Sequence, residues 1–298
     1  MNIRHLRYFV DIVATGSLRK ASEVLYVTQS ALSRAVSELE SELGCTLLER
    51  HQHGVRPTRQ GLLLEERARG ILGDVEGLKQ QLLEDGGQPA GQVRLAMPIG
   101  MRNRITRPLV RFLREEYPNV RVDLQDGNAH ENRAAVLEGM AEMAVIQELD
   151  RGLPLNYRRL FTEPLCLVGP SGAGLRIKQP VSVATMATFP LLMIHAPNQI
   201  RWTVDAALRS IKAPSEPAME VSSSILLLDL VEDGQGYTVL PESVVAEALL
   251  HKRVSAARVR TLKVTWVVAW IKGKALSPVS KIALDKLCEL AASHIHSA

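Results

Sequence analysis

From Ser17 to Gly44 the spacing of apolar residues permits little besides two short amphipathic helices joined by a tight turn. Leu18, Ala21, Val24 and Leu25 supply the apolar side of the first helix. Ser17 is placed to cap it, because a hydroxyl there accepts a free backbone N–H. Tyr26 and Val27 form the turn, and Thr28 stands at the cap position of the next helix. Leu32, Ala35, Val36, Leu39 and Leu43 then recur at i, i+3, i+4, i+7 and i+11, the pattern of an inward face. Gly44 stops this helix. Upstream, Leu6, Phe9, Val10 and Val13 predict one more helix, broken at Thr15-Gly16.

An inward apolar face turns Gln29, Ser30, Ser33, Arg34 and Ser37 outward. Taken alone, these describe an ordinary solvated surface helix. They also suit the major groove of DNA. Gln can bond adenine's edge in two places, Arg can do the same to guanine, and Ser is small enough to let a helix approach. Residues 46–61 read as an apolar strand, a basic loop around Gly54 and a return. Arg50, His51, His53, Arg56 and Arg59 cluster there, as in a wing that follows the DNA backbone or enters the minor groove.

These residues resemble the winged helix-turn-helix of LysR-type transcriptional regulators. The shared points are Gly16-Ser17, Gln29 with Ala31-Leu32-Ser33, Leu39-Glu40 with Leu43-Gly44, and Leu47-Leu48-Glu49-Arg50. The chain departs from the family at Ser30, where Pro is usual, at Leu48, where Phe is common, and at Pro57, where Leu is common. Pro at a first helical turn is favourable but not required, so the fold survives and base preference is what changes. The resemblance implies DNA contacts at Ser17, Arg19, Thr28, Gln29, Ser30 and Ser33. It implies others at Arg34, Ser37, Arg50, His53, Arg56 and Thr58.

Thr58 can open a long helix that runs to Glu84, about 40 Å at 1.5 Å per residue. Leu64, Ala68, Ile71, Val75, Leu78 and Leu82 alternate four- and three-residue steps, the seam of a coiled coil. Such a stripe implies a partner helix, the other reading being a helix packed on its own domain. Gly70, Gly73 and Gly77 each cost about 1 kcal/mol relative to Ala in a helix, which close approach of another helix, or a tolerated bend, would explain. The resemblance implies a homodimer through this helix and a homotetramer built from two dimers, with RNA polymerase as a further partner. Two-fold symmetry then predicts an inverted-repeat site in double-stranded DNA, its half-sites spaced by about one helical turn.

Residues 85–91 form a polar hinge. Strand-like runs follow at 93–97, 120–124, 143–146, 165–168, 189–194 and 237–240, with helical stretches between them and a last helix over 278–292. This alternation is that of an α/β architecture. Gly91-Gln92-Val93-Arg94-Leu95, Tyr117-Pro118-Asn119-Val120, Leu137-Glu138-Gly139 and Gly234-Gln235-Gly236 with Leu240-Pro241 resemble the family's effector-binding portion. That portion is a two-lobed module like the periplasmic solute-binding proteins.

The expected class is thus multidomain α+β: a DNA-binding head over 1–58, a dimerisation linker over 59–90 and an effector domain over 91–298. Within the last, lobe I spans about 91–161 and 266–298, and lobe II about 162–265. The resemblance puts the effector in the cleft between lobes. Its candidates from lobe I are Ile99, Gly100, Met101, Arg102, Asn128, His130 and Gln147. From lobe II come His195, Asn198, Arg201 and Trp202. Arg102 or Arg201 would supply charge for an organic acid or aromatic carboxylate, because guanidinium matches carboxylate geometry. Each of these arginines, and His195, also reads as a solvated or structural residue.

Other functions find little support. Cys45, Cys166 and Cys288 are far apart in sequence and fit no zinc spacing, so no metal or other cofactor is expected. They read as thiols in a reducing compartment, with a redox switch left open. No GxSxG, HExxH or Walker sequence points to an enzyme, and Gly169–Gly174 lacks the Lys-Ser/Thr ending of a phosphate loop. The N-terminus lacks an apolar signal core, and no apolar run is long enough to span a membrane, so a cytoplasmic protein is expected. The formal charge of +4 is compatible with a polyanionic partner and demands none. The competing reading is a ligand-independent architectural or repressor protein, its C-terminal module serving only oligomerisation.

Overall fold

The computed structural model describes residues 2–51, 54–83, 89–148 and 152–295. The head opens with α1 (Ile3–Thr15), α2 (Leu18–Leu25) and α3 (Gln29–Leu43). Each starts where a side chain accepts a backbone N–H: Asn2 from His5, Ser17 from Lys20 and Thr28 from Ala31. α1 and α3 stop at Gly16 and Gly44, whose φ values of +64° and +68° are left-handed. Phe9, Ile12, Leu32 and Leu39 are buried where the three helices meet. Val24 and Leu43, expected inside, are exposed. Leu25 takes the inward place at the end of α2 and leaves Val24 a third of a turn outward, while Leu43 is the last residue of α3.

β1 (Leu48–His51) and β2 (Gly54–Pro57) pair antiparallel as the wing. Glu40 of α3 fastens its start, its carboxylate accepting the N–H groups of Leu47 at 2.7 Å and Leu48 at 3.2 Å. α4 (Arg59–Leu83) follows at once. The Thr58 hydroxyl donates to the Thr46 carbonyl at 2.7 Å and accepts from Gly61 N–H at 3.0 Å. A Cβ on Gly61 would lie 2.1 Å from the Leu47 carbonyl oxygen, so backbone meets backbone there. Gly61→Val should therefore destabilise the head by about 1–3 kcal/mol through overpacking. Denaturant melting checks this, and an unchanged midpoint would contradict it.

α4 serves two neighbours, which corrects the expected seam. Ala68 is buried, and Leu64 and Leu72 half-buried, against the head's own core, because α1 packs along this helix. Leu63, Ile71 and Leu78 stay exposed as the free apolar stripe. The side chain of Leu82 lies outside the described residues, as does Glu84. Two of the glycines lie against the effector domain of the same chain. A Cβ on Gly73 would stand 2.8 Å from the Arg94 guanidinium, and Gly70 faces Gly139.

The effector domain runs β3 (Gly91–Pro98), two short helical turns over 99–106, α5 (Arg107–Glu116), β4 (Val120–Gly127), α6 (Ala129–Leu137) and β5 (Met143–Gln147). Then come β6 (Leu155–Pro170), α7 (Val183–Met186), β7 (Leu191–Ile194), α8 (Gln199–Ser210), β8 (Met219–Val221) and α9 (Ser224–Glu232). β9 (Tyr237–Pro241), α10 (Glu242–Leu250), β10 (Val254–Ile271) and α11 (Pro278–Ile295) complete it. The eight strands form one mixed sheet in the order β4-β3-β5-β10-β6-β9-β7-β8. The long antiparallel pair β6 and β10 runs through both lobes, with slips in register between Arg258 and Lys263 and between Trp266 and Val267. Irregularities of this kind bend a strand pair. Glu142 ties α11 to lobe I, accepting from Ser277 N–H at 2.8 Å and the Ser280 hydroxyl at 2.6 Å.

Candidate nucleic-acid interface and effector cleft

On α3, Gln29, Ser30, Arg34 and Ser37 are exposed, and Ser33 is half-buried. The Thr28 and Ser30 hydroxyls share a hydrogen bond of 3.1 Å, so the helix presents an ordered polar first turn. A helix N-terminus carries partial positive charge, which favours phosphate nearby. Ser17 caps α2, and Arg19 is exposed beside Glu23 at 3.7 Å. An exposed pair of that kind is worth little and yields readily to a phosphate. Arg56 is exposed on the wing. Thr58 departs from expectation: its hydroxyl is engaged at the junction of head and linker rather than turned outward. His53 and the side chain of Arg50 lie outside the described residues.

Between the lobes lies a cavity of about 280 Å³. Ile99, Gly100, Asn128, Gln147 and Asn198 line it, as expected from the sequence. His130 and Trp202 line a shallow hollow beside it. Four other candidates are elsewhere. Met101 is buried in the core of lobe I. Arg102 faces Glu247 of α10 at 3.7 Å, with Asp126 near enough to feel its charge. His195 sits 3.4 Å from Glu220. Arg201 donates to both oxygens of Asp205 at 2.9 Å and also to Glu220. Each of these polar three has an acidic neighbour that holds it away from the cavity.

Sequence reasoning missed Glu131, Ser222, Ser223, Ser224, Val244 and Trp266 as cavity residues. Two of the signals were legible. Asn128 and Glu131 form a capping box at the start of α6, and Ser223 caps α9 ahead of an apolar run. Both caps place their neighbours on the cavity wall.

Residues 3–62 match the family model of the bacterial regulatory helix-turn-helix protein, lysR family, and residues 86–292 match that of the LysR substrate binding domain. The chain belongs to the LysR family of transcriptional regulators. It is similar to the nitrogen assimilation regulatory protein nac of Escherichia coli (strain K12), 36% identical over 82% of this chain and 79% of that protein. The nac protein of Klebsiella aerogenes is 34% identical over 82% of this chain and 79% of its own length. A cysteine-to-aspartate variant of full-length OxyR from Pseudomonas aeruginosa shares the fold, with a TM-score of 0.72 at 22% identity over 98% of this chain and 94% of its own. CbnR in complex with its target DNA gives a TM-score of 0.71 at 21% identity, over 98% and 99% of the two chains.

This LysR regulator is therefore a DNA-binding protein with an effector-binding domain. No helix among the described residues is long and apolar enough to cross a membrane. Behind the cavity lies the most buried acid among the described residues. Glu163 accepts from Trp266 Nε1 at 2.6 Å, from the Ser243 hydroxyl at 2.8 Å and from Ser243 N–H at 2.7 Å. Burial pushes its carboxyl above the usual range, against the opposing pull of these hydrogen bonds. Burial also pushes the Cys166 thiol up to about 12, the reverse of what a reactive thiolate requires. The lobes touch beyond the cavity as well, where Asn103 donates to Glu247 of α10 at 2.8 Å.

Proposed function

We propose that this chain is a ligand-responsive transcription factor of the cytoplasm. Two protomers pair through the free stripe of α4, and two pairs assemble into a tetramer. Each pair reads an inverted repeat, with Gln29, Ser30, Ser33 and Arg34 on bases and Arg19 and Arg56 on phosphates. The bound tetramer acts on RNA polymerase. A small organic effector enters the cleft and changes lobe closure, and with it the spacing of the heads. It shifts that balance only by its differential affinity for the two states. The observation that supports this most is the cavity of about 280 Å³ between the lobes of a chain that also carries a DNA-reading head. The identity of 34% and 36% to the two nac proteins makes nitrogen-metabolism genes the first place to look for operators.

Arg34→Ala should weaken specific binding by about 1–3 kcal/mol and leave non-specific binding nearly unchanged. Mobility-shift titration against operator and scrambled DNA measures both. Equal losses would reassign Arg34 to the phosphates. One observation favours the ligand-independent reading: Asn103 and Arg102 already hold Glu247 across the lobes, at 2.8 Å and 3.7 Å. Operator binding measured with and without a bacterial metabolite extract separates the two. A footprint that the extract leaves unaltered would favour the architectural protein.

A further inference from the structure

We infer that the cleft takes an uncharged ligand with an adjacent donor and acceptor, such as a carboxamide, ureide or lactam edge, in place of the organic acid expected from sequence. This rests on the effector-sensing reading above. Its key group is Gln147. The residue is 4% exposed, lines the cavity, and its carboxamide has no hydrogen-bond partner among the described residues. The carboxamide opens to the cavity, so a ligand that displaces water from it must replace the hydrogen bonds that water makes. A carboxamide carries two N–H donors and a carbonyl acceptor, and a ligand amide meets both kinds at once. A carboxylate would accept from the N–H but bring no proton to the carbonyl oxygen, leaving two acceptors face to face.

Charge argues in the same direction. Among the described residues, the one ionisable side chain on the cavity wall is Glu131, already accepting from Asn128 N–H at 2.8 Å. Glu163, bonded to the far side of Trp266, adds a second acid close by. Two arginines expected at the cleft are committed elsewhere: Arg201 to Asp205 and Glu220, and Arg102 to Glu247. Arg104 acts on Glu163, behind the wall. Arg133 lines only the shallow hollow, where its Nη2 donates to His130 Nδ1 at 2.9 Å. Three helices begin at the cavity, but the side chains of Asn128, Asn198 and Ser223 already accept free N–H groups there. After the first strand of lobe I, Val244 Cγ2 stands 2.4 Å from where a Cβ on Gly100 would be, so no added side chain fits to hold an anion. A negative ligand would meet no cation on the cavity wall, whereas Trp266 and Ile99 offer apolar surface to a neutral one.

The test uses the full chain and a bacterial metabolite extract split on a strong anion-exchange resin at neutral pH. Thermal unfolding is followed in the flow-through, which holds neutral and cationic molecules, and in the eluted anions. The flow-through should raise the melting temperature and the anion fraction should not. Gln147→Leu, with each shift measured from its own melting temperature without additive, should need at least tenfold more flow-through for the same shift. Stabilisation by the anion fraction alone, or an undiminished response of Gln147→Leu, would overturn the inference while leaving effector sensing intact. Silence of both fractions would overturn effector sensing, and this inference with it.

Discussion

Ile71→Glu combined with Leu78→Glu is expected to lower affinity for an inverted-repeat operator by about 100- to 10,000-fold, the avidity that linking two binding heads supplies. Both residues are exposed on α4, along the stripe that the chain's own head leaves uncovered. Two carboxylates there must be desolvated if the stripe packs on a second copy, and the pair would put four of them in one seam. Each single head should keep its fold, because its core rests on Phe9, Ile12, Leu32 and Leu39, with Ala68 as α4's contribution. Sedimentation should report the loss of one level of assembly: monomers where the parent is a dimer, dimers where it is a tetramer. A double variant that still sediments as the parent, and binds as tightly, would show that assembly uses another surface.

Glu163→Ala is expected to cost about 3–5 kcal/mol of stability, since it strands three buried donors at once. Trp266 Nε1, the Ser243 hydroxyl and Ser243 N–H all lose their acceptor. The loss should also reach the cleft, because Trp266 lines the cavity and is held by this bond. The sign of the pH dependence follows from burial. The folded carboxyl titrates above the ordinary value of 4.5, so the folded state holds its proton more tightly than the unfolded state does. Its contribution is then fully present below that ordinary value and declines as pH rises through the folded one. The deficit of Glu163→Ala should be larger at pH 5 than at pH 8. Urea titrations at the two pH values measure it, and a deficit that grows with pH would contradict the burial argument.

The head was largely readable from sequence because its determinants are local. Caps at Ser17 and Thr28, stops at Gly16 and Gly44, and one apolar period decide where three helices begin, end and face. Contacts between distant segments were harder. The stripe of α4 looked like one seam, yet Ala68 turns to α1 while Ile71 stays free, and spacing alone cannot separate two partners on adjacent faces. In the effector domain the short apolar run 165–168 understated β6, whose earlier half shows polar residues to solvent and so lacks a continuous apolar signal. The arginines failed as cleft residues for a related reason. Arg201 lies in the right element, but Asp205, one turn on, and Glu220, on strand β8, hold its guanidinium elsewhere. Conversely Trp266 and Val244 reach the cavity only through long-range packing.

The decisive measurement is footprinting of the purified chain on fragments selected from genomic DNA at moderate salt. Protection should fall on an inverted repeat whose half-sites lie about one helical turn, or a multiple of it, apart. Metabolite extract should alter the pattern at the same site. Protection without sequence preference, spread evenly along every fragment and released by salt alone, would contradict a paired, ligand-controlled reading head.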